Sequence, residues 1–280
     1  MKLTGKKHHT FVLSDTAASR LCWVDADGKI VRTMDGIFAC FDLWQNDRGE
    51  LLVSHFGGEQ GDGFTLFDRD GRTVGGYRGA GGEVFSVQPL PDGNFLTAEL
   101  RHKALREVSA EGQVLREIPV AYEGANPHEA MRMARKTADG YLVVQPGINR
   151  LKRLDLNGMV LDAYPIRPDA FGVVELPDGH LLYTCMSGAY ELDRAGHEVW
   201  SLTAADVPEI GIRWLLGVAL LPDGNLVFSN WMGHGHRDEG VMFFEVDREK
   251  HVMWSADGRG ELLEPAVLQL TDIPFSDVRK

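Results

Sequence analysis

The chain has 280 residues, 44% of them hydrophobic and 25% charged, with a formal net charge of −12. That composition describes a globular protein with ample core material, and the acidic balance excludes a general nucleic-acid binder, which needs clustered Lys and Arg. The N-terminus, MKLTGKKHHTFVLSD, has basic residues but no apolar signal core, and no run long enough to span a membrane occurs anywhere.

These features predict a cytoplasmic chain with no membrane partner. The three cysteines, Cys22, Cys40 and Cys185, form no CxxC and fit reduced thiols better than a disulfide framework. Cys185 could act as a nucleophile beside a histidine, but a buried inert thiol is the commoner state.

The first elements in chain order are TFVLSD and RLCWVDADGKIVRT, which read as three strands of a four-stranded unit without its first strand. His8 and His9 run directly into them and receive no role. Five complete units follow. Each opens with apolar strand, turn, apolar strand: FACFDLWQNDRGELLVSH, VFSVQPLPDGNFLTAE, AMRMARKTADGYLVVQ, FGVVELPDGHLLYTC and LLGVALLPDGNLVFSN. Each closes with a more charged pair: FTLFDRDGRTVGG, ALREVSAEGQVLRE, RLKRLDLNGMVLDA, SGAYELDRAGHEVWS and MFFEVDREKHVMWS.

The turn glycines Gly49, Gly93, Gly140, Gly179 and Gly224 are 44, 47, 39 and 45 residues apart, the spacing of β-propeller blades. The last strand signal, AVLQLTD at 266–272, lines up with the first-strand phrase GVALLPD. It therefore supplies the strand that the N-terminal unit lacks and closes the edge that an open sheet would expose. The sequence predicts one all-β domain, a six-bladed propeller. Its blades lie near 38–78, 83–119, 128–164, 169–202 and 213–256, with the sixth split between 10–34 and 265–272. Two β-sandwiches are the alternative, but they would not need matching half-units at opposite ends. The stretch 201–214 carries no strand signal and reads as a short helical or irregular loop.

Function is sought where the blades differ. Six residues past each turn glycine lie His55, Glu99, Pro146, Cys185 and Asn230, and the split blade contributes Asp15. A second strand ending at a channel mouth would gather these side chains on one face. Asp15, His55, Glu99 and Asn230 are the candidate ligands for a divalent metal such as Zn, Mn, Fe, Ni or Ca. The loops on that face bring Glu83, His128, Glu129, Arg132, Asp169, Arg213 and Trp214, and then Arg101, His102, Trp231, His234 and His236.

His128, His234 and Glu129 are the candidate general acids and bases. Arg132, Arg101 and Gln145 would bind polar groups of a substrate, with Trp214 and Trp231 stacking on a ring. If GANPHEAMR is extended, only one of His128 and Glu129 can face the site. Arg150, Lys152 and Arg153 read as a solvated outer face. HFGGEQGDG at 55–63 lacks the GK[ST] ending of a phosphate loop and reads as a lid.

The stretch AADVPEIGIRWLLGVALLPDGNLVFSNWMGHGH, together with HEAMRMARKTADGYLVV, FFEVDREKHVMWS and VLQLTDI, resembles a family of bacterial six-bladed propellers labelled PQQ-binding-like repeat proteins. The resemblance implies the fold and favours Asn230, Trp231, His234, His128 and Arg132 as site positions. It implies no settled reaction, and PQQ itself is not expected, because quinoprotein propellers are larger and exported.

Two functions are expected. One is an enzyme, a hydrolase, lyase or epimerase, acting on a sugar, sugar acid or lactone with assistance from a metal. The other is a non-catalytic propeller binding a small ligand or a protein on the same face. Nothing in the sequence sets the oligomeric state.

Overall fold

The structure, a computed structural model, describes residues 1–236 and 239–280. Strands dominate. They are β1 (Lys2–Gly5), β2 (Phe11–Asp15), β3 (Arg20–Val24), β4 (Ile30–Asp35), β5 (Leu43–Gln45), β6 (Leu51–His55), β7 (Asp62–Phe67) and β8 (Thr73–Gly79). Next come β9 (Val84–Pro89), β10 (Phe95–Glu99), β11 (Ala104–Val108), β12 (Val114–Pro119), β13 (Ala134–Lys136), β14 (Gly140–Gln145), β15 (Arg150–Asp155) and β16 (Val160–Pro165). The last are β17 (Val173–Glu175), β18 (Leu181–Cys185), β19 (Gly188–Leu192), β20 (Glu198–Thr203), β21 (Leu215–Leu220), β22 (Leu226–Asn230), β23 (Phe243–Val246), β24 (Val252–Asp257) and β25 (Pro265–Leu270).

They form six antiparallel sheets, and the fold is a six-bladed β-propeller. As the sequence requires, β25 pairs with β2 in the order β25-β2-β3-β4. The sequence reading missed β1, which adds a fifth strand to the last blade by pairing with β24. Of residues 201–214, the first three end β20 and the rest form turns and irregular chain without a helix, in keeping with the irregular-loop reading but not the helical one, and no described helix is long and apolar enough to cross a membrane.

The repeat works through local chemistry. In five of the turns between the third and fourth strands a leading aspartate accepts backbone N–H groups two and four residues on. Asp25 does so from Asp27 and Lys29, and Asp68 from Asp70 and Arg72. Asp155, Asp193 and Asp247 occupy the equivalent place. This side-chain bond mimics a backbone turn. Each third–fourth strand pair then carries a register shift at the same point, such as Glu107/Val108 and Arg153/Leu154. A bulge there sharpens the strand twist. The second strands are buried along their whole length, as in Leu181–Cys185, except at Phe95 in β10, whereas β16 is exposed at five of its six positions.

The chain divides into two compact units, Phe38–Val173 and the remainder. In the first, one ion pair ties the inner strands together. Arg135 Nη1 donates to Asp42 Oδ2 at 2.8 Å and to Ser86 Oγ at 2.9 Å, and Val87 N donates to the same Asp42 oxygen. Its core runs from Phe85 and Leu96 to Tyr141 and Leu154.

In the other unit Phe11, Phe243 and Trp254 anchor a core that joins the split blade to the last one. His9, which had no role by sequence alone, is 5% exposed and bonds Asp272 through Nδ1 and Glu245 through Nε2, both at 2.8 Å. Lys7 joins the same group through Glu245 and Asp223. A charged cluster thus fastens the N-terminal segment to the chain's last strands.

Candidate functional site

In the unit Phe38–Val173 the loop entering β9 carries Glu83 in the left-handed backbone region, with φ 52°. Its Oε2 lies 2.6 Å from His128 Nδ1, and its Oε1 accepts Arg101 Nε at 2.6 Å. Burial pushes the Glu83 carboxyl up, but the bonds from His128 and Arg101 outweigh it and hold the group below the usual carboxylate range. It is therefore ionised at neutral pH and accepts the Nδ1–H of His128. His128 Nε2 has no hydrogen-bond partner among the described residues, and the side chain is 41% exposed.

His128 sits on a single 3-10 turn, Pro127–Glu129, capped by Asn126, whose side chain accepts His128 N. Proline at the first position favours this turn, so the chain is not extended at His128 and Glu129 and the rule that neighbours point to opposite sides does not apply there. Just beyond it, Arg132 packs its guanidinium 5.0 Å over the Phe85 ring. Nη1 donates to the His128 and Met131 carbonyls. The Nε/Nη2 edge has no partner, and no carboxylate forms an ion pair with Arg132 among the described residues. Burial lowers its pKa to about 10, against the opposing pull of Glu129, Glu83 and Asp169.

Beneath these polar groups lies a wall of phenylalanines that the sequence reading did not anticipate. Phe85 meets Phe41 and Phe56 edge-on, both at 4.8 Å between ring centroids, and Phe171 lies 6.0 Å from Phe41. His128 packs edge-on against Phe85 at 5.6 Å. Phe85 and Phe171 are buried, whereas Phe41 and Phe56 are half-buried. Phe41, Phe85 and Phe171, at or just before the first strands of three blades, and Phe56, just after β6, thus bring aromatic surface to the same place as the histidine and arginine.

The four expected metal ligands do other work. Asp15 is fully buried and accepts Leu263 N, Glu264 N and Arg20. It clamps the split blade. Asn230 Oδ1 accepts Arg213 N and Trp214 N, and its Nδ2 donates to Gly211 O and Val241 O. His55 Nδ1 bonds Gly61 O at 2.9 Å and Nε2 bonds Thr65 Oγ1 at 3.0 Å, and burial holds the imidazole below its ordinary pKa. Glu99, also buried, is shared among Tyr77, Arg106 and His102. Strand ends that look vacant in sequence are saturated by the loops folded over them, so these residues do not fit a metal. Gln145 Nε2 is likewise occupied, donating to Ala121 O and Ala130 O, whereas its buried Oε1 has no partner among the described residues.

In the other unit Trp231 lies 5.4 Å from Trp214 and 5.1 Å from His234, and both Trp231 Nε1 and His234 Nδ1 bond Glu264. His234 is 83% exposed, so this histidine is far less enclosed than His128. His236 pairs with Glu239, which also takes Arg213.

Two further groups lie outside these. Lys152, read as solvated, is 6% exposed and donates to Ala121 O at 2.9 Å. Asp178 and His180, on the turn before β18, and Glu191, on β19, bring ligand atoms within 4.8 Å of one another. Arg248 already pairs with Glu191 and supplies its counter-charge.

No family model matches the chain, and no curated protein matches it. Solved structures do. A protein of unknown function from Bacteroides caccae matches with TM-score 0.81 at 21% identity, covering 94% of this chain and 98% of that one. A catalytically inactive histidine-to-alanine variant of virginiamycin B lyase from Staphylococcus aureus, solved with quinupristin, matches with TM-score 0.65 at 13% identity, covering 99% and 97%. The WD40 propeller domain of Doa1 matches with TM-score 0.60 at 13% identity, covering 90% and 76%. At such identities the likeness shows the fold.

Proposed function

We propose that the protein is an enzyme that acts on a small molecule at the Glu83–His128 pair, with His128 Nε2 as its general base or acid. The observation that carries this reading is the hydrogen bond from His128 Nδ1 to an ionised Glu83, with Nε2 left unengaged. A carboxylate that holds one ring nitrogen fixes the tautomer and aims the other nitrogen at substrate. Arg101 completes the support by neutralising Glu83 from its other oxygen. Arg132 offers a fixed positive charge to a polarised or anionic oxygen. Glu129, the residue after His128, makes no side-chain hydrogen bond among the described residues and is a second proton carrier.

Hydrolysis, elimination and epimerisation each need a proton moved by such a group. The inactive histidine variant of virginiamycin B lyase supports the idea that a propeller of similar fold can depend on one histidine. The Asn230–Trp231–His234 element supports kinship with the PQQ-binding-like repeat propellers, and that kinship brings no cofactor into the chemistry. The reading needs no metal from the clamp residues Asp15, His55, Glu99 and Asn230.

The test is a screen of esters, lactones and β-substituted carbonyl compounds with the wild-type protein and with His128→Ala and Glu83→Gln. A turned-over compound should lose about 10²–10⁴-fold in kcat with His128→Ala, and the loss should be smaller with Glu83→Gln. Undiminished turnover by a folded His128→Ala protein would sink the proposal.

A further inference from the structure

We infer that the ligand of this site is a carboxylate borne on a flat, apolar body, such as an aryl-substituted acid, rather than a polyhydroxylated sugar acid. The inference rests on the proposed role of the Glu83–His128 site and names what that site takes.

Two independent features of the unit Phe38–Val173 carry it. The first is the state of Arg132. Its guanidinium is largely withdrawn from water, stacked on Phe85 and tethered by Nη1 alone to two backbone carbonyls. The edge formed by Nε and Nη2 is the one that binds a carboxylate through two parallel hydrogen bonds. That edge has no protein acceptor among the described residues, and burial without an ion partner has drawn the pKa down to about 10. A bound carboxylate would supply the missing charge and both hydrogen bonds together.

The second is the chemistry of the rings grouped around Phe85, over which the guanidinium sits. Phe85 makes edge-on contacts at 4.8 Å with both Phe41 and Phe56, and these two rings keep part of their surface accessible. Apolar walls with a few convergent polar groups are the usual makeup of a small-molecule site. A sugar acid would bury several hydroxyls against rings that offer them no hydrogen bond, which costs binding energy for each one. An aryl or similarly flat acid would set its ring against phenylalanine in the edge-on or offset geometry these rings already adopt. Glu129, the nearest opposing charge by its influence on Arg132, does not reach it as an ion pair and acts as a competitor for the same cation.

The experiment titrates the purified full chain by calorimetry with phenylacetate, its neutral analogue phenylacetamide, and gluconate, while NMR follows the His128 ring signals. Phenylacetate is expected to bind at least about tenfold more tightly than phenylacetamide, because the amide forfeits charge-assisted hydrogen bonds, and to exceed gluconate as well. Arg132→Gln should erase the acid–amide difference while melting like the wild type. Arg132→Lys should keep part of it, and Glu129→Gln should widen it. If gluconate or the amide binds as tightly as phenylacetate and still shifts His128, the ligand class is overturned and the site stands. If none of the three binds or shifts His128, the class and the site both fall. If the acid–amide difference survives in Arg132→Gln, another cation is responsible and the inference is overturned.

Discussion

Stability should fall at alkaline pH because of one buried histidine. Burial alone would lower the pKa of His9, but hydrogen bonds and charge from Asp272 and Glu245 overcome it and raise it from 6.5 to about 9. A group that binds its proton more tightly folded than unfolded stabilises the fold while protonated. The contribution is fully present below the unfolded value of 6.5 and is lost as pH rises through about 9. A difference of that size corresponds to roughly 3 kcal/mol at 25 °C. His9 is 5% exposed, so salt screens little of it.

The assay is urea unfolding of the wild type and of His9→Gln at about pH 6 and about pH 9.5, where the midpoint reports stability if the slope is unchanged. Wild type should lose on the order of 3 kcal/mol more than His9→Gln across that window. The variant should be the less stable of the two at the lower pH. Parallel loss in both proteins would refute the argument, because it would place the alkaline sensitivity elsewhere. Lys7 shares Glu245 and is also held above its ordinary pKa. Its ordinary value of 10.5 already lies above the window tested, so it stays protonated throughout and contributes little to the comparison.

Asp15→Ala should cost about 3–5 kcal/mol in the same assay, because it strands Arg20 and uncaps two backbone amides in a fully buried place. An unchanged midpoint would show that the split blade closes without this clamp. The three thiols are buried, and burial pushes the Cys22 thiol up to about 11. A thiol reagent at about pH 8 should therefore label none of them in native protein and all three after unfolding. Rapid native labelling of Cys22 would contradict its placement.

The blade count was legible in the sequence because every signal for it is local. Alternating apolar strands, turn glycines such as Gly93 and the leading aspartates of the turns each act over a few residues, and their recurrence measures the repeat. The pairing of β25 with β2 could be read the same way, from a first-strand phrase at one end and a missing one at the other. β1 was not legible: Lys2–Gly5 is mostly exposed and shows no apolar face, so only its pairing with β24 makes it a strand.

The site divides along the same line. His128, Glu129 and Arg132 stood out by type and place, and the structure joins His128 to Glu83 and Arg101 while one edge of Arg132 has no partner among the described residues. Asp15, His55, Glu99 and Asn230 stood out equally and turned out to be clamps. A polar residue at a strand end has the same sequence signature whether its partner is a ligand or an incoming loop. Only the folded chain shows which oxygen or nitrogen atoms are already taken. Phe41, Phe85 and Phe171 each fall eight residues before a turn glycine, Gly49, Gly93 and Gly179, so the repeat makes them equivalent, but only the folded chain shows their rings meeting one another and Phe56. Repetition along the chain determined the architecture; packing between distant segments decided which side chains remain free to act.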